Sequence, residues 1–452
     1  MSRIRIHIAS DSTVATYGGR VLPMMGWGQL LYQYFDFDQV EIWNRAICGR
    51  SSRSFVEEGR LERMVQDFRP GDYLLIQFGH NDATKQRPQR YTEPGKPFAG
   101  WLQRYIDAAR AKGVQPVLIT PMQRRVFDAE GHFEWVLMDY IRTIRELAAA
   151  EQVPLLDLAA VSGPVIANMG PEESKKYFFF SEPGEEPNYP DGHQDDTHFQ
   201  KRGARLMVEL VVGLMKESDL NLKRYIMPRQ KPEVRVYMAG DSTMAQYGGP
   251  EQPMAGWGQM FWEYMQPTVE IRNHACCGRS SQSFIDEGRL ERILREIHSG
   301  DYLFIQFAHN DEKLDYDNPM ACFERNIRQF IAGARSRLAH PVLLTAVERR
   351  KFTDSGKLQV THSPFIEATR EIARLEDVPL LDMNAASRRL LTELGPEAAR
   401  QLFLQVQPGE EPNYPDGHVD DTHFSEYGAR RMAGLAAQLL ADSPIGLRLM
   451  LR

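Results

Sequence analysis

The chain has 452 residues, 42% of them hydrophobic and 25% charged, with a net charge of −7. That is the make-up of an ordinary globular protein long enough for two cores, and it lacks the basic footprint that a nucleic-acid partner requires. No run of 18 or more apolar residues exists to cross a membrane, and the four cysteines (Cys48, Cys276, Cys277, Cys322) suggest no disulfide framework.

The chain opens MSRIRIHIASDST, a strand that begins almost at once and ends at Ala9 before a DST turn. No charged head and apolar run precede it, so a cytoplasmic location is expected. VEIWN (40–44), DYLLIQF (72–78), PVLIT (116–120) and VPLLDL (153–158) read as further strands. Between them, WLQRYIDAARAKG (101–113) and MDYIRTIRELAAAEQV (138–153) carry helical spacing, and KRGARLMVELVVGLM (201–215) is the last helix of the series. The pattern then starts again: VRVYMA (234–239), VEIRN (269–273), DYLFIQF (301–307), PVLLT (341–345) and VPLLDM (378–383). Short apolar strands alternating with helices predict an α/β fold, with a buried parallel sheet between helical layers.

The repetition extends to polar segments. ASDSTVATY (9–17) matches AGDSTMAQY (239–247), and NRAICGRSSRSF (44–55) matches NHACCGRSSQSF (273–284). GDYLLIQFGHND (71–82) matches GDYLFIQFAHND (300–311), and GEEPNYPDGHQDDTHF (184–199) differs from 409–424 at one position. The offset falls only from 230 at Ser12/Ser242 to 225 at His198/His423, so the repeating unit is a whole domain. Domains 1–230 and 231–452 are expected, joined around 217–233. DSPIGLRLMLR (442–452) echoes the first repeat's tail, so each domain carries a terminal extension, expected to pack on its partner in a pseudo-dimer.

Every repeated polar block follows a strand or precedes the last helix, at the strand ends where ligands of such sheets bind. An acyl-transfer hydrolase needs a nucleophile, a base, a group orienting the base and oxyanion donors. Ser12 and Ser242 end the first strand of each repeat, ahead of an expected helix whose N-terminal N–H groups would face an oxyanion. Asp195 and Asp420 each precede a histidine, His198 and His423, by three residues. On a helical turn or tight loop that spacing lets the carboxylate hold Nδ1–H while Nε2 faces the serine. Gly49 and Gly278 offer an unobstructed N–H, and Asn81 and Asn310 a side-chain amide, beside the N–H of each serine.

Taken in order, and twice, these blocks resemble the SGNH (GDSL-type) hydrolases, and most closely rhamnogalacturonan acetylesterases. Their strings look like GDSTMA, GRSS, GDYxxIQFGHND and DxTHF here. The resemblance implies two flavodoxin-like SGNH domains, each a three-layer α/β/α with a five-stranded parallel sheet. It implies removal of acetyl groups from pectic oligosaccharides with no metal or other cofactor, through catalytic Ser12, Asp195, His198, Ser242, Asp420 and His423. The oxyanion holes would comprise Ser12, Gly49 and Asn81, and Ser242, Gly278 and Asn310. Two positions depart from the family strings, Ser10 and Ala308 standing where glycine is expected; each is expected to cost backbone freedom beside a donor.

Other residues admit two readings. Arg50 and Arg279 could grip a uronate carboxylate or pair with the acids of EEGR and DEGR. Tyr189 and Tyr414 are candidate sugar contacts; Trp27 and Trp257 could stack on a sugar face but read more as packing under the nucleophile segment. Asp11 and Asp241 read as turn-fixing residues, His80 and His309 as residues that structure the asparagine turn, and Asp196 and Asp421 as solvated or loop-bonding. His193 and His418 are rival bases; with Asp195, Asp196 and His198, His193 also has metal-ligand types, a reading that leaves the serine block unexplained. Cys48 and Cys277 read as small buried residues more than as thiol nucleophiles. Segments 129–135 and 354–360 read as exposed turns. A lipase- or thioesterase-like member of the superfamily and a non-catalytic carbohydrate-binding protein are the competing functions.

Overall fold

The computed structural model describes residues 3–228, 232–313 and 318–452. The chain divides into two compact units, one mainly residues 21–229 and the other mainly 251–452; the expected boundary at 230/231 lies outside the described residues.

In the first unit β1 (Ile4–Ser10), β2 (Val40–Asn44), β3 (Tyr73–Gln77), β4 (Gln115–Ile119) and β5 (Leu155–Leu156) form a sheet of order β2-β1-β3-β4-β5, every pair parallel. The helices are α1 (Ser52–Glu57), α2 (Arg60–Val65), α3 (Lys96–Ala111), α4 (Met138–Glu151), α5 (Leu158–Ser174) and α6 (Lys201–Glu217). Alternation along the strands splits the core in two. Ile6, Ile8, Leu75, Val117 and Ile119 pack with Met207, Val208 and Val211 of α6. Leu74, Ile76 and Leu118 pack with Phe98, Leu102 and Ile106 of α3 and Ile144 of α4. Because β-strand side chains alternate between faces, the apolar run 73–76 of β3 can only be satisfied with a helical layer on each side.

The second unit follows the same plan. It runs β8 (Val234–Gly240), β9 (Met254–Ala255), α7 (Trp257–Met260), β10 (Val269–Asn273), α8 (Ser281–Asp286), α9 (Arg289–Glu296), β11 (Tyr302–Gln306), α10 (Pro319–Ser336), β12 (His340–Leu344), α11 (Ser363–Leu375), β13 (Leu380–Leu381) and α12 (Met383–Ala398). Its parallel sheet has the order β10-β8-β11-β12-β13. The strand order in each sheet reverses beside the first strand, the switch point where a crevice opens at the strands' carboxyl ends.

Each unit also has an antiparallel element outside its parallel sheet. In the first, β6 (Phe178–Ser181) pairs with β7 (His193–Phe199). In the second, β14 (Phe403–Val406) pairs with β15 (His418–Ser425), ahead of α13 (Glu426–Ala441). The tails fold back on their own units. Ile226 bridges Phe35, and Leu451 bridges Met265, while Leu222 and Leu447 join their units' own cores. This corrects the expectation of packing on the other domain: apolar residues in each tail find an apolar edge near the start of their own unit.

Candidate active site

Each unit draws a serine, a histidine and an aspartate into one hydrogen-bonded line. Ser12 Oγ lies 2.8 Å from His198 Nε2, and His198 Nδ1 lies 2.7 Å from Asp195 Oδ2. The second unit repeats the line at 2.9 Å for Ser242 and His423 and 2.6 Å for His423 and Asp420. Asp195 Oδ1 also accepts the N–H groups of Thr197 and His198, at 2.7 and 2.9 Å. Burial alone would raise its carboxyl, but the ring and amide bonds win and hold it well below the usual carboxylate range; Asp420 behaves alike. An ionised carboxylate can only accept, so Nδ1 carries the donated proton and the Nε2 lone pair faces the serine hydroxyl.

The backbone that achieves this differs from expectation. Asp195 and His198 sit on the antiparallel strand β7, neither on a helical turn nor in a tight loop. In a regular strand residues three apart point to opposite faces. The pairing register is broken between Phe178 and Phe179, and Asp195 folds back onto the amides at 197 and 198, which brings both side chains to one side. Likewise no helix follows Ser12. A single turn is closed by Val14 N–H and Ala15 N–H donating to Asp11 O, and by Asp11 Oδ1 accepting the Thr13 amide and hydroxyl at 2.9 and 2.8 Å. The Gly18-Gly19 pair just beyond disfavours helical continuation. No helix dipole is therefore aimed at the serine.

The amides of Ser12, Gly49, Ser242 and Gly278 make no hydrogen bond among the described residues, so they remain available as donors. Gly49 and Gly278 hold φ of +76° and +77°, left-handed values that exclude most side chains. Asn81 and Asn310 lie in the turns after β3 and β11. Arg90 Nη1 donates to Asn81 Oδ1 at 3.4 Å, and Lys313 Nζ to Asn310 Oδ1 at 3.2 Å, which leaves each Nδ2 as the outward donor. Asn310 spends one N–H on Arg279 O at 3.1 Å.

A buried acid ties the glycine and asparagine loops together. Asp82 Oδ1 accepts the Ser52 amide at 3.1 Å and contacts the Ser52 hydroxyl at 2.5 Å, and burial pushes its carboxyl up to about 7. Asp311 does the same through Ser281, at 3.0 and 2.5 Å, and is pushed up to about 6.

Of the two readings open for Arg50 and Arg279, the structure has the pairing with the acids of EEGR and DEGR. Arg50 is held by both oxygens of Glu58, at 3.1 and 3.0 Å, and Arg279 by both of Glu287, so these guanidinium groups are already paired. Tyr189 is half-buried, its ring against Phe179 and His193; Tyr414 donates to Glu251 O at 2.8 Å. Trp27 is buried and donates to Gln77, and Trp257 donates likewise to Gln306. Asp196 and Asp421, expected to be solvated or loop-bonding, pair with Arg125 and Arg350. His193 stacks on Phe179 and stands 3.7 Å from Asp195. Burial pushes the Cys48 and Cys277 thiols up, which disfavours a thiolate. Among the described residues, the side chains close enough together to hold an ion are Asp128, Glu130 and His132, none of them a residue of the Asp–His–Ser line.

Sequence reasoning passed over Arg124, Arg125 and Arg90. Arg125 donates its amide to Asp196 O at 2.8 Å, which fixes the strand that carries Asp195 and His198. The signal was present: QRR (123–125) and ERR (348–350) recur at the repeat offset.

The family model described as GDSL-like Lipase/Acylhydrolase matches residues 11–206 and again 238–431. The rhamnogalacturonan acetylesterase RhgT of Bacillus subtilis is 42% identical over 218 residues, 48% of this chain and 94% of its own. The probable rhamnogalacturonan acetylesterase YesY of the same organism is 42% identical over 221 residues, 49% of this chain and 96% of its own. Among solved structures, the Bacillus subtilis protein YxiM aligns at a TM-score of 0.42 and 29% identity, over 49% of this chain and 60% of that one.

Proposed function

The chain belongs to the GDSL-like lipase/acylhydrolase family and is a carboxylic ester hydrolase, and from that premise we propose that each half removes O-acetyl groups from pectic, rhamnogalacturonan-type oligosaccharides. Ser12 and Ser242 are the nucleophiles. His198 and His423 take the hydroxyl proton through Nε2 and return it to the leaving sugar oxygen; Asp195 and Asp420 hold each ring in the tautomer that can do so. The tetrahedral oxyanion is met by the serine N–H, the glycine N–H and the asparagine amide. The acetyl-serine is then hydrolysed by a water that the same histidine deprotonates.

The observation that carries this reading is the duplicated Asp–His–Ser line, at 2.7 and 2.8 Å in one unit and 2.6 and 2.9 Å in the other. The sugar is supported by the two relatives named as rhamnogalacturonan acetylesterases, each matched over nearly its full length. Acetate release from acetylated pectic oligosaccharides tests it, on wild type, Ser12→Ala, Ser242→Ala and the double variant. Each single variant should retain one site's turnover, and the double should lose about 10⁴-fold or more. Two fluorophosphonate labels per chain should fall to one and then none. A double variant as active as wild type, or a clear preference for octanoyl over acetyl esters, refutes the proposal.

A further inference from the structure

The two sites are close copies in their reacting groups, each with a cation beside its asparagine, Arg90 at Asn81 and Lys313 at Asn310, and differ in how a further arginine is paired. Arg124 and Arg349 are equivalent, one residue before the arginines whose amides bond the strands of His198 and His423. In the second unit Arg349 is neutralised. Its Nη2 lies 2.8 Å from Glu312 Oε1, and the other oxygen of Glu312 meets His362 Nδ1 at 2.7 Å. Burial would raise the Glu312 carboxyl, but His362 and Arg349 together hold it low, so it is a firm counter-charge.

In the first unit the residues at those two positions are Ala83 and Leu137, and neither can pair. Arg124 donates Nε to His80 Nδ1 and Nη2 to His80 O, both at 3.1 Å. That ring is neutral, since burial drives His80 well below the usual histidine range. No carboxylate lies within ion-pair distance of Arg124 among the described residues. The guanidinium is half-buried and lies between the histidine that precedes Asn81 and the strand of His198, where Asp11 and Asp195 act on it only at longer range. A second cation stands beside it. A β-carbon on Gly49 would fall 2.8 Å from Arg90 Nη2, so that guanidinium lies against the glycine loop; it too has no carboxylate partner among the described residues. At Gly278 nothing described lies within 4 Å.

A partly desolvated guanidinium without a counter-ion is unfavourable, and a bidentate carboxylate is the ligand that best satisfies it. We propose that the first site favours acetylated sugars that carry a carboxylate, a uronate held by Arg124 with Arg90 beside it, whereas Glu312 fills that role from within at Arg349 in the second site, which therefore gains less from a uronate on the same pectic substrates. The inference rests on the acetylesterase reading above. It reassigns the uronate contact from Arg50, which is occupied by Glu58, to Arg124.

The test uses Ser242→Ala, in which only the first site turns over, and Ser12→Ala, in which only the second does. For each, kcat/KM is measured on an O-acetylated oligogalacturonate and on an O-acetylated xylo-oligosaccharide, with 4-nitrophenyl acetate as a check that the site works. The anionic-to-neutral ratio should be about tenfold higher for the first site and should shrink at high salt. Adding Arg124→Gln to Ser242→Ala should bring the ratio down to that of the second site, and Arg124→Lys should retain most of it. Adding Glu312→Gln to Ser12→Ala should raise it. Equal ratios for the two sites, or a ratio indifferent to residues 124 and 312, overturn the inference. Failure of both single-site enzymes to release acetate from either sugar, while 4-nitrophenyl acetate is cleaved, instead overturns the choice of substrate.

Discussion

The two halves solve the same problem with different neighbours. Gly79 follows β3 with φ +143°, and a β-carbon there would meet Pro121 Cγ at 3.0 Å. Its counterpart is Ala308, buried with φ +152°, and the counterpart of Pro121 is Ala346. The methyl fits where the ring has gone. The other departure is matched in the same way. A β-carbon on Gly240 would fall 2.9 Å from Gln306 O and 3.0 Å from Met244 Sδ; the first half has Ser10 with the smaller Val14, and the serine hydroxyl donates to Gln77 O, the counterpart of Gln306 O, at 2.6 Å. Ser10 lies in the extended strand β1 and carries no positive-φ strain, so the expected cost falls on Ala308 alone. The lesson is that the Asp–His–Ser distances are held within 0.1 Å between copies while the shell around them repacks in compensating pairs.

The comparison can be pressed hardest at the oxyanion asparagines. Measured in single-site backgrounds, Asn81→Ala and Asn310→Ala should each lower kcat by about 10²–10³, with KM changed far less. A loss confined to one half would show that its partner's amide is not a donor.

Stability should break next. Gly79→Ala should destabilise the first unit by about 1–3 kcal/mol, through the proline ring and the positive φ. Adding Pro121→Ala should recover part of that loss, a non-additive pair readable by denaturant titration. Ala308→Gly in the second unit should change stability by less than about 1 kcal/mol, because relieved strain and added chain entropy oppose each other. Additive behaviour at 79 and 121 would mean the two substitutions are independent.

A further effect concerns pH. An acid whose folded value lies above its unfolded one, about 3.9, stabilises the fold fully below the unfolded value and loses that contribution as pH rises through the folded value. The melting temperature of wild type relative to Asp82→Asn should therefore decline from pH 4 to 8. The decline should reach further up in pH for Asp82, at about 7, than for Asp311, at about 6. A difference that grows with pH would show an Asp82 ionised throughout.

Much of this protein was legible from residue order alone. Strand cores such as YLLIQ and the polar blocks after them were visible because a buried parallel strand leaves an uninterrupted apolar run and its reactive loop does not. The serine, glycine, asparagine and histidine blocks stood out because they occur twice in one order. Four things were not legible. The turn after Ser12 looks like a helix start because Asp11 and Thr13 are also cap residues. Asp195 and His198 have a spacing that fits a helix as well as a strand whose register is broken by its partner. Arg50 left two readings open until its bonds to Glu58 chose between them, and the difference between Arg124 and Arg349 depends on residues elsewhere along the chain.

What the sequence determined by itself, then, was composition, periodicity and the cast of reacting groups, since these are properties of short stretches. Which cation is paired and which is left open was decided only by tertiary structure. A charge is neutralised by whatever the fold brings within a few ångströms, and Glu312, held by His362 from a separate segment, reaches Arg349.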